Sequence, residues 1–151
     1  MSSPLKARIS NDMKAALRAG DKPRLSAIRL MLAAIKQREI DTRSELDDAQ
    51  VLSILEKMIK QRRESIAQYE SAHREDLVAV ERFELEVIQA YMPAALGDAE
   101  VYRLIDAALS ETGASRAQDI GQVMSRLKSQ LQGRADMARV AARVKARLTN
   151  R

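Results

Sequence analysis

Hydrophobic residues recur along this chain at intervals of three and four, the spacing of one face of an α-helix. The stretch that begins at Leu25 shows this clearly, since Ile28, Leu32 and Ile35 fall on one side of a helix. No stretch alternates apolar and polar residues, so no strand is predicted. The pattern predicts seven helices, which extend from Ser3 to Gly20, from Asp21 to the polar stretch 41–44, over 48–72, over 76–91, from Asp98 to Gly113, from Asp119 to Gly133, and from about Ala135 onward.

Residues that favour helix ends stand where the pattern breaks. Ser3 before Pro4 predicts the start of the first helix, because serine caps helices well and proline fits the first helical position. Asp119 and Gln122 have the spacing of a capping box at the start of the sixth helix.

The clearest linker is the segment 92–97, Met-Pro-Ala-Ala-Leu-Gly. Pro93 pushes the residue before it away from helical dihedrals, and Gly97 with Asp98 indicates a turn into a new helix. We therefore predict an all-α protein with two parts: a four-helix N-terminal region, residues 1–93, and a compact three-helix C-terminal domain, residues 97–151.

The composition excludes several kinds of site. The chain has no cysteine, so neither a disulfide nor a thiolate metal site can form. It contains no phosphate-binding glycine loop, no dinucleotide fingerprint and no nucleophile elbow. We expect no cofactor and no autonomous enzyme activity.

The distribution of apolar residues also bears on location. Met1 to Lys6 lacks the apolar run of a signal peptide, and no uncharged stretch approaches the roughly 18 residues that a membrane span needs. We therefore expect a cytoplasmic protein with no membrane partner.

The net charge of +5 is concentrated at the C-terminus. From Arg134 to Arg151 there are six Lys and Arg residues and one acid, Asp136, whereas the residues before Arg134 carry equal numbers of each sign. An excess of this kind favours an anionic partner.

A row of arginines on the last predicted helix is the first candidate for a binding surface. Arg139, Arg143 and Arg147 are four residues apart and form one ridge, on a different side from Val140 and Val144. A guanidinium group suits a phosphate backbone because it offers paired donors in a fixed fork. The alternative is a solvated basic face that complements the helix dipole.

A second basic group lies on the long third helix and consists of Lys57, Lys60, Arg62 and Arg63. Glu56 and Glu64 are each four residues from Lys60, so ordinary surface ion pairs explain much of this group equally well. No aromatic residues are interleaved with these cations, which favours binding to backbone and shape over the reading of bases.

Two acidic patterns have spacings that occur in sites of chemistry. Glu70 and His73 have the Glu-x-x-His spacing of di-iron bundles, but such sites need two of these motifs and His73 is the sole histidine. A surface histidine at a helix end is the better interpretation, and no metal site is predicted.

Glu81, Glu84 and Glu86 could form an acid–base pair, yet glutamates on an amphipathic helix usually form a solvated face. Residues 81 and 84 are expected to lie near arginines.

The ordered set of these features resembles the YqeY-like family, also called GatB/YqeY-domain proteins. The matching stretches are 25–36, Glu39-Ile40, 59–65, Tyr69, Glu81, Glu84, 91–93, 119–124 and 133–136. The resemblance implies a two-part, all-helical fold. The C-terminal part of the chain is similar to the tail domain of the B subunit of the tRNA-dependent amidotransferase. That enzyme amidates mischarged Glu-tRNA(Gln) or Asp-tRNA(Asn).

That tail contacts tRNA, whereas the chemistry lies in domains for which 151 residues leave no room. The resemblance therefore implies a tRNA-binding accessory protein. A carbon–nitrogen ligase activity with glutamine as amide donor could be attributed to the chain through the shared tail alone. The resemblance also suggests a role for two glycines. Gly121 would permit close approach of RNA backbone or of a neighbouring helix, and Gly133 would supply the positive φ of a helix end. The residues predicted to contact nucleic acid are Arg134, Arg139, Arg143, Lys145, Arg147, Gly121 and Lys128.

Three hypotheses result. The first is binding of tRNA or another structured RNA, and the second is a helical adaptor whose N-terminal helices dock a partner protein. The third is an accessory component of an amidotransferase that lacks the catalytic domain.

Overall fold

The structure is a computed structural model that describes residues 3–149. Within this range the chain forms α-helices and one short 3-10 turn, with no strand, which confirms the all-helical prediction. Arg151, which contributes to the predicted C-terminal charge, lies outside the described residues. The seven helices are α1 (Pro4–Ala19), α2 (Lys22–Thr42), α3 (Asp48–Ser71), α4 (Glu75–Gln89), α5 (Asp98–Thr112), α6 (Ile120–Leu131) and α7 (Met137–Thr149).

The fold divides between Met92 and Pro93 into two compact units, each with its own hydrophobic core. The N-terminal unit contains α1 to α4, and the C-terminal unit contains α5 to α7 together with a 3-10 turn at Ala117–Asp119. That residues 1–93 and 97–151 fold as independent domains stays a prediction.

The core of the N-terminal unit is aliphatic. Each of its four helices contributes at least one side chain with 1 % exposure or less, among them Ile9, Ile28, Leu55 and Ile88. Burial of such a side chain stabilises the fold by roughly 1.5–3 kcal/mol. The chain therefore forms a core almost without aromatic residues.

Three helices of the N-terminal unit end in the same way. Gly20, Arg43 and His73 each follow a helix with a positive φ, of 68°, 54° and 56°. At each end, this residue and its successor donate backbone hydrogen bonds to carbonyls of the last turn, the pattern of a Schellman motif. The sequence predicted the glycine ending but not the two that lack glycine. His73 is an exposed histidine at a helix end, as the sequence predicted.

Helix starts were predicted with mixed success. Ser3 accepts a hydrogen bond from the backbone N–H of Lys6 at 3.1 Å, which confirms the predicted cap of α1. Asp47 and Gln50 form a capping box at the start of α3.

The capping box predicted at Asp119 is wrong. Its carboxylate makes no hydrogen bond to the first turn of α6 and instead accepts from the backbone N–H groups of Ser115 and Arg116, both at 3.1 Å. These bonds lower the pKa of Asp119. The carboxylate therefore holds the loop before α6.

Tyr91 attaches the end of the N-terminal unit to its first helix. Its ring is buried, its hydroxyl donates to Oδ2 of Asp12 on α1, and the guanidinium of Arg8 lies 4.8 Å from the ring centroid. Burial, aided by the bond to Asp12, raises the pKa of Tyr91 to about 12.

In the C-terminal unit, three helices enclose a second core. Val123, Leu127 and Leu131 of α6 are fully buried, and Val140, Val144 and Leu148 of α7 are at most 4 % exposed. The predicted apolar face of the last helix is thus confirmed. Because this face is fixed against the core, the arginines between its positions are directed elsewhere.

Candidate nucleic-acid interface

A cleft of about 320 Å³ lies in the C-terminal unit, between α5, the first half of α7 and the segments that precede these helices. Three of the predicted nucleic-acid residues line it: Arg134, Arg139 and Arg143. Two aspartates, Asp98 and Asp136, line it as well. The cleft gathers part of the predicted basic ridge into a concave site.

Arg143 stacks on an aromatic ring. The Cζ atom of its guanidinium lies 3.7 Å from the centroid of the Tyr102 ring, which belongs to α5. A cation over the face of an aromatic ring is attracted by the ring quadrupole, and the contact restricts the otherwise mobile arginine side chain. Both residues are exposed and line the cleft, so the stacked pair forms part of its wall.

Arg134 joins the two segments that lead into α5 and α7. Its carbonyl accepts a hydrogen bond from the backbone N–H of Leu96 at 2.9 Å, and its Nε donates to the carbonyl of Ala94 at 3.4 Å. These bonds hold the half-buried Arg134 side chain at the edge of the cleft.

Arg139 is exposed on the first turn of α7. Beside it, Asp136 accepts a hydrogen bond from the backbone N–H of Ala138 at 3.0 Å and a longer one from that of Arg139 at 3.5 Å. Asp136 therefore caps the start of α7.

The remaining predicted residues lie apart from the cleft. Arg147 pairs with Asp106 of α5, which neutralises the third arginine of the row. Lys145 and Lys128 are exposed and do not line the cleft. Gly121 is also exposed, and a Cβ atom placed there would meet nothing within 4 Å. Close approach of a neighbouring helix is therefore the wrong explanation for this glycine.

The second basic group does not form one surface. Lys57, Lys60 and Arg63 are exposed, but Arg62 turns toward α4, where its Nε donates to Oε2 of Glu84 at 2.8 Å. The Arg62 side chain is only 16 % exposed. The prediction that Arg62 belongs to an exposed basic patch is wrong, because its charge is satisfied inside the α3–α4 contact.

Glu81 completes this ion cluster with an unusual environment. Its Oε2 lies 3.4 Å from Nε of Arg62 but accepts no hydrogen bond from any described residue, because the single Nε–H points to Glu84. Burial raises the pKa of Glu81, the Glu84 carboxylate adds to the rise, and Arg62 opposes it. The expected proximity of residues 81 and 84 to an arginine is confirmed.

Among residues 3–149, no group of three or more histidine, aspartate or glutamate side chains is arranged to hold a metal ion. Glu70 of the Glu-x-x-His pattern instead pairs with Arg82 of α4.

Sequence reasoning missed the aromatic wall of the cleft. Tyr102 and Arg143 lie on different helices, and nothing in the local pattern around either residue indicates the other. The one available signal was that Tyr102 falls outside the apolar positions of α5, where Val101 and Ile105 are buried. An aromatic residue off the core face of a helix is a candidate for contact with a neighbouring side chain or a ligand.

A family model described as Yqey-like protein matches residues 6–148. The chain belongs to the YqeY-like family. The match covers almost the whole chain and includes both helical units, so it confirms the resemblance seen in the sequence.

Three curated relatives of this YqeY-like chain share one name, altered inheritance of mitochondria protein 41, mitochondrial. The protein of Pyrenophora tritici-repentis is 35% identical over 133 residues, which are 85% of this chain and 71% of the relative. That of Saccharomyces cerevisiae is 33% identical over 126 residues, 79% of this chain and 68% of the relative. That of Eremothecium gossypii is 43% identical over 89 residues, and this match spans about half of the relative (49%).

These names overturn one expectation. A cytoplasmic location was predicted, but the relatives are named as mitochondrial proteins, and the prediction is therefore wrong. It rested on two absences, that of an apolar run in Met1–Lys6 and that of an uncharged stretch long enough to span a membrane, and neither absence shows where a protein resides. Within the described residues, no helix has both the length and the apolar character that a membrane crossing requires.

Proposed function

We propose that this YqeY-like protein binds RNA, with tRNA as the leading partner, through the cleft-bearing face of its C-terminal unit. The observation that carries the proposal is the convergence of Arg134, Arg139 and Arg143 on one cleft. The choice of tRNA follows the similarity of the C-terminal part to the amidotransferase tail domain.

The electrostatics of this face favour a phosphate backbone. The C-terminal segment carries the whole excess of positive charge in the chain, and Arg139 and Arg143 are exposed on it. Phosphates bound by such residues release condensed counterions, so the affinity falls with rising salt. Arginine adds geometric fit, since its fork can donate two hydrogen bonds to one phosphate.

Filter binding with total tRNA at several salt concentrations tests the proposal. We expect salt-sensitive binding that falls at least tenfold when Arg139→Glu and Arg143→Glu are combined, with the logarithmic salt slope reduced by about 2. A matched control carries the same charge change on the N-terminal unit, at the exposed residues Lys14 and Arg29, and should bind almost as the unchanged protein does. If both variants lose the same amount of tRNA affinity, the loss follows from net charge alone, and the proposed site is overturned.

Docking of a protein by the N-terminal helices is a second candidate. Val80 and Phe83 lie three residues apart on α4 and are 55 % and 37 % exposed, unusual values for large apolar side chains on one helix face. Copurification of a defined protein after ribonuclease treatment would support it, provided that Val80→Glu with Phe83→Glu abolishes the copurification. Retention of the partner by that variant would refute it.

The third hypothesis, an accessory role in tRNA-dependent amidation, has a direct assay. The chain is added to an amidotransferase with mischarged tRNA, glutamine, ATP and Mg²⁺. A rise in amide formation that the Arg139→Glu and Arg143→Glu variant fails to produce would support an accessory role through the cleft. Amide formation unaffected by the chain would rule it out.

A further inference from the structure

The charges that line the cleft suit a single phosphate group. Three arginines and two aspartates leave the lining with a net charge of +1. Asp136 is already engaged by backbone N–H groups of α7, and Asp98 stands at the start of α5. A single phosphate group carries one negative charge in a diester and up to two in a monoester, which is close to this balance, whereas a triphosphate would meet both aspartates with a larger excess of negative charge.

The wall made by Arg143 and Tyr102 suits a flat group. Tyr102 lies against the guanidinium of Arg143 at 3.7 Å, and because Arg143 is exposed, a ligand can approach this planar cation from the side away from the ring. Nucleobases stack on arginine and aromatic planes because every base has a π-face. Since the ring already orients the guanidinium, a base that stacks there loses little additional side-chain freedom.

The size of the cleft limits what can enter. A volume of about 320 Å³ lies at the lower end of the range of roughly 300–1,000 Å³ known for small-molecule pockets. This space fits one nucleotide and excludes a double helix, whose bases are hidden by pairing and stacking. A nucleotide that is to reach the stacked wall must therefore be unpaired.

We infer that the cleft binds one unpaired nucleotide of an RNA strand, with the phosphate held by Arg134 and Arg139 and the base stacked on the Arg143–Tyr102 pair. The identity of the strand as RNA rests on the proposed function, whereas the fit to a nucleotide rests on the cleft alone. The protein would then recognise an exposed loop or end of its RNA in addition to the backbone.

Amide chemical shifts of the full chain, recorded by NMR, test this inference with three ligands. These are AMP, a short unstructured single-stranded RNA, and a blunt RNA duplex of the same composition. We expect AMP and the single strand to shift amides of 95–105 and 134–143. We also expect the single strand to bind roughly tenfold more tightly than the duplex, the gain that stacking of one base provides.

Two substitutions of an exposed ring separate stacking from charge. Tyr102→Leu keeps an apolar side chain but removes the π-face, and it should lower the affinity for the single-stranded RNA roughly tenfold. Tyr102→Phe keeps the ring and should bind within about twofold of the unchanged protein, because it retains stacking on Arg143. Circular dichroism verifies that both variants keep the helical fold.

The outcomes distinguish this inference from the proposed function. If tRNA binds with the expected salt dependence while AMP and the single strand leave the cleft amides unmoved, the inference is overturned and RNA binding stands. If the cleft amides respond to both small ligands but tRNA does not bind, the nucleotide site stands and the proposed function falls. Equal affinity for single strand and duplex, or no difference between Tyr102→Leu and Tyr102→Phe, also overturns the inference.

Discussion

Arg62 of α3 donates a hydrogen bond from Nε to Oε2 of Glu84 on α4 across 2.8 Å, with both side chains 16 % exposed. A charge-assisted hydrogen bond in this setting contributes more than a surface ion pair, since water screens it less. The contact between α3 and α4 therefore depends on an ionic link as well as on apolar packing.

Removal of this arginine charge should destabilise the N-terminal unit. In Arg62→Met the stem is kept, but the carboxylates of Glu81 and Glu84 lose their shared cation, and we expect a loss of about 2 kcal/mol in the free energy of unfolding. Urea unfolding monitored by circular dichroism measures it. The control is Lys60→Met at an exposed site on the same helix, which should stay within about 0.5 kcal/mol. Equal effects of the two substitutions would contradict an ionic role for Arg62.

The raised pKa of Glu81 predicts a stability that depends on pH. The folded protein holds the Glu81 proton to a higher pH than the unfolded chain does, so stability falls as the pH rises through the interval between the two pKa values. The loss of stability from ionised Glu81 is absent when the pH is below the ordinary carboxyl pKa, and it is complete when the pH is above the raised pKa. Glu81→Gln removes the ionisation, so its stability relative to the unchanged protein should increase from about pH 4 to about pH 7.

Urea unfolding at the two pH values measures this difference. Glu86→Gln on the exposed side of α4 is the matched control and should show a smaller change between them. The prediction fails if Glu81→Gln and Glu86→Gln respond alike.

Tyr91 should ionise only in strongly alkaline solution. Its pKa is raised to about 12 by burial and by the bond to Asp12, from an ordinary value of 10.0. Because the folded state retains the phenolic proton longer, stability contributed by the neutral hydroxyl is lost as the pH rises through this interval. The measurement is the tyrosinate absorbance of the protein minus that of Tyr91→Phe as the pH is raised. This difference should have its midpoint at about pH 12. A midpoint near pH 10 would contradict the burial and hydrogen bonding of the Tyr91 phenol.

The pair between Arg147 and Asp106 predicts a gain of RNA affinity. In Asp106→Asn the guanidinium of Arg147 loses its acidic partner and joins Arg139 and Arg143 as a cation available on the same row. Filter binding with tRNA should show higher affinity and a logarithmic salt slope steeper by about 1. The added substitution Arg147→Gln should cancel the gain; if it does not, the effect of Asp106→Asn arises elsewhere.

Helical spacing predicted the faces of single helices well. The 3.6-residue period places Val140 and Val144 on one face of the last helix, and both are buried. That period defines angles around one helix axis and contains no information about a neighbouring helix. For this reason the inward turn of Arg62 and the stack of Arg143 on Tyr102 were missed, since each depends on a partner from another helix.

Backbone conformation imposed a second limit. The predicted helix endings relied on glycine, which adopts positive φ without strain, and they located Gly20, Gly113 and Gly133 correctly. Arg43 and His73 adopt the same conformation although it is unfavourable for residues with a Cβ atom. Packing of the adjoining helices must compensate for that cost, and such compensation cannot be deduced from a single sequence.

The hydrogen bonds of Arg134 define the shortest piece of chain that can retain the cleft. A fragment cut at residue 97 would lack both the Ala94 carbonyl that receives the arginine Nε and the Leu96 amide that donates to its backbone. One wall of the cleft would then be missing, although every helix of the unit remained. Excised versions of this unit should therefore begin before Ala94, so that the linker residues Ala95 and Leu96, which line the cleft, are retained.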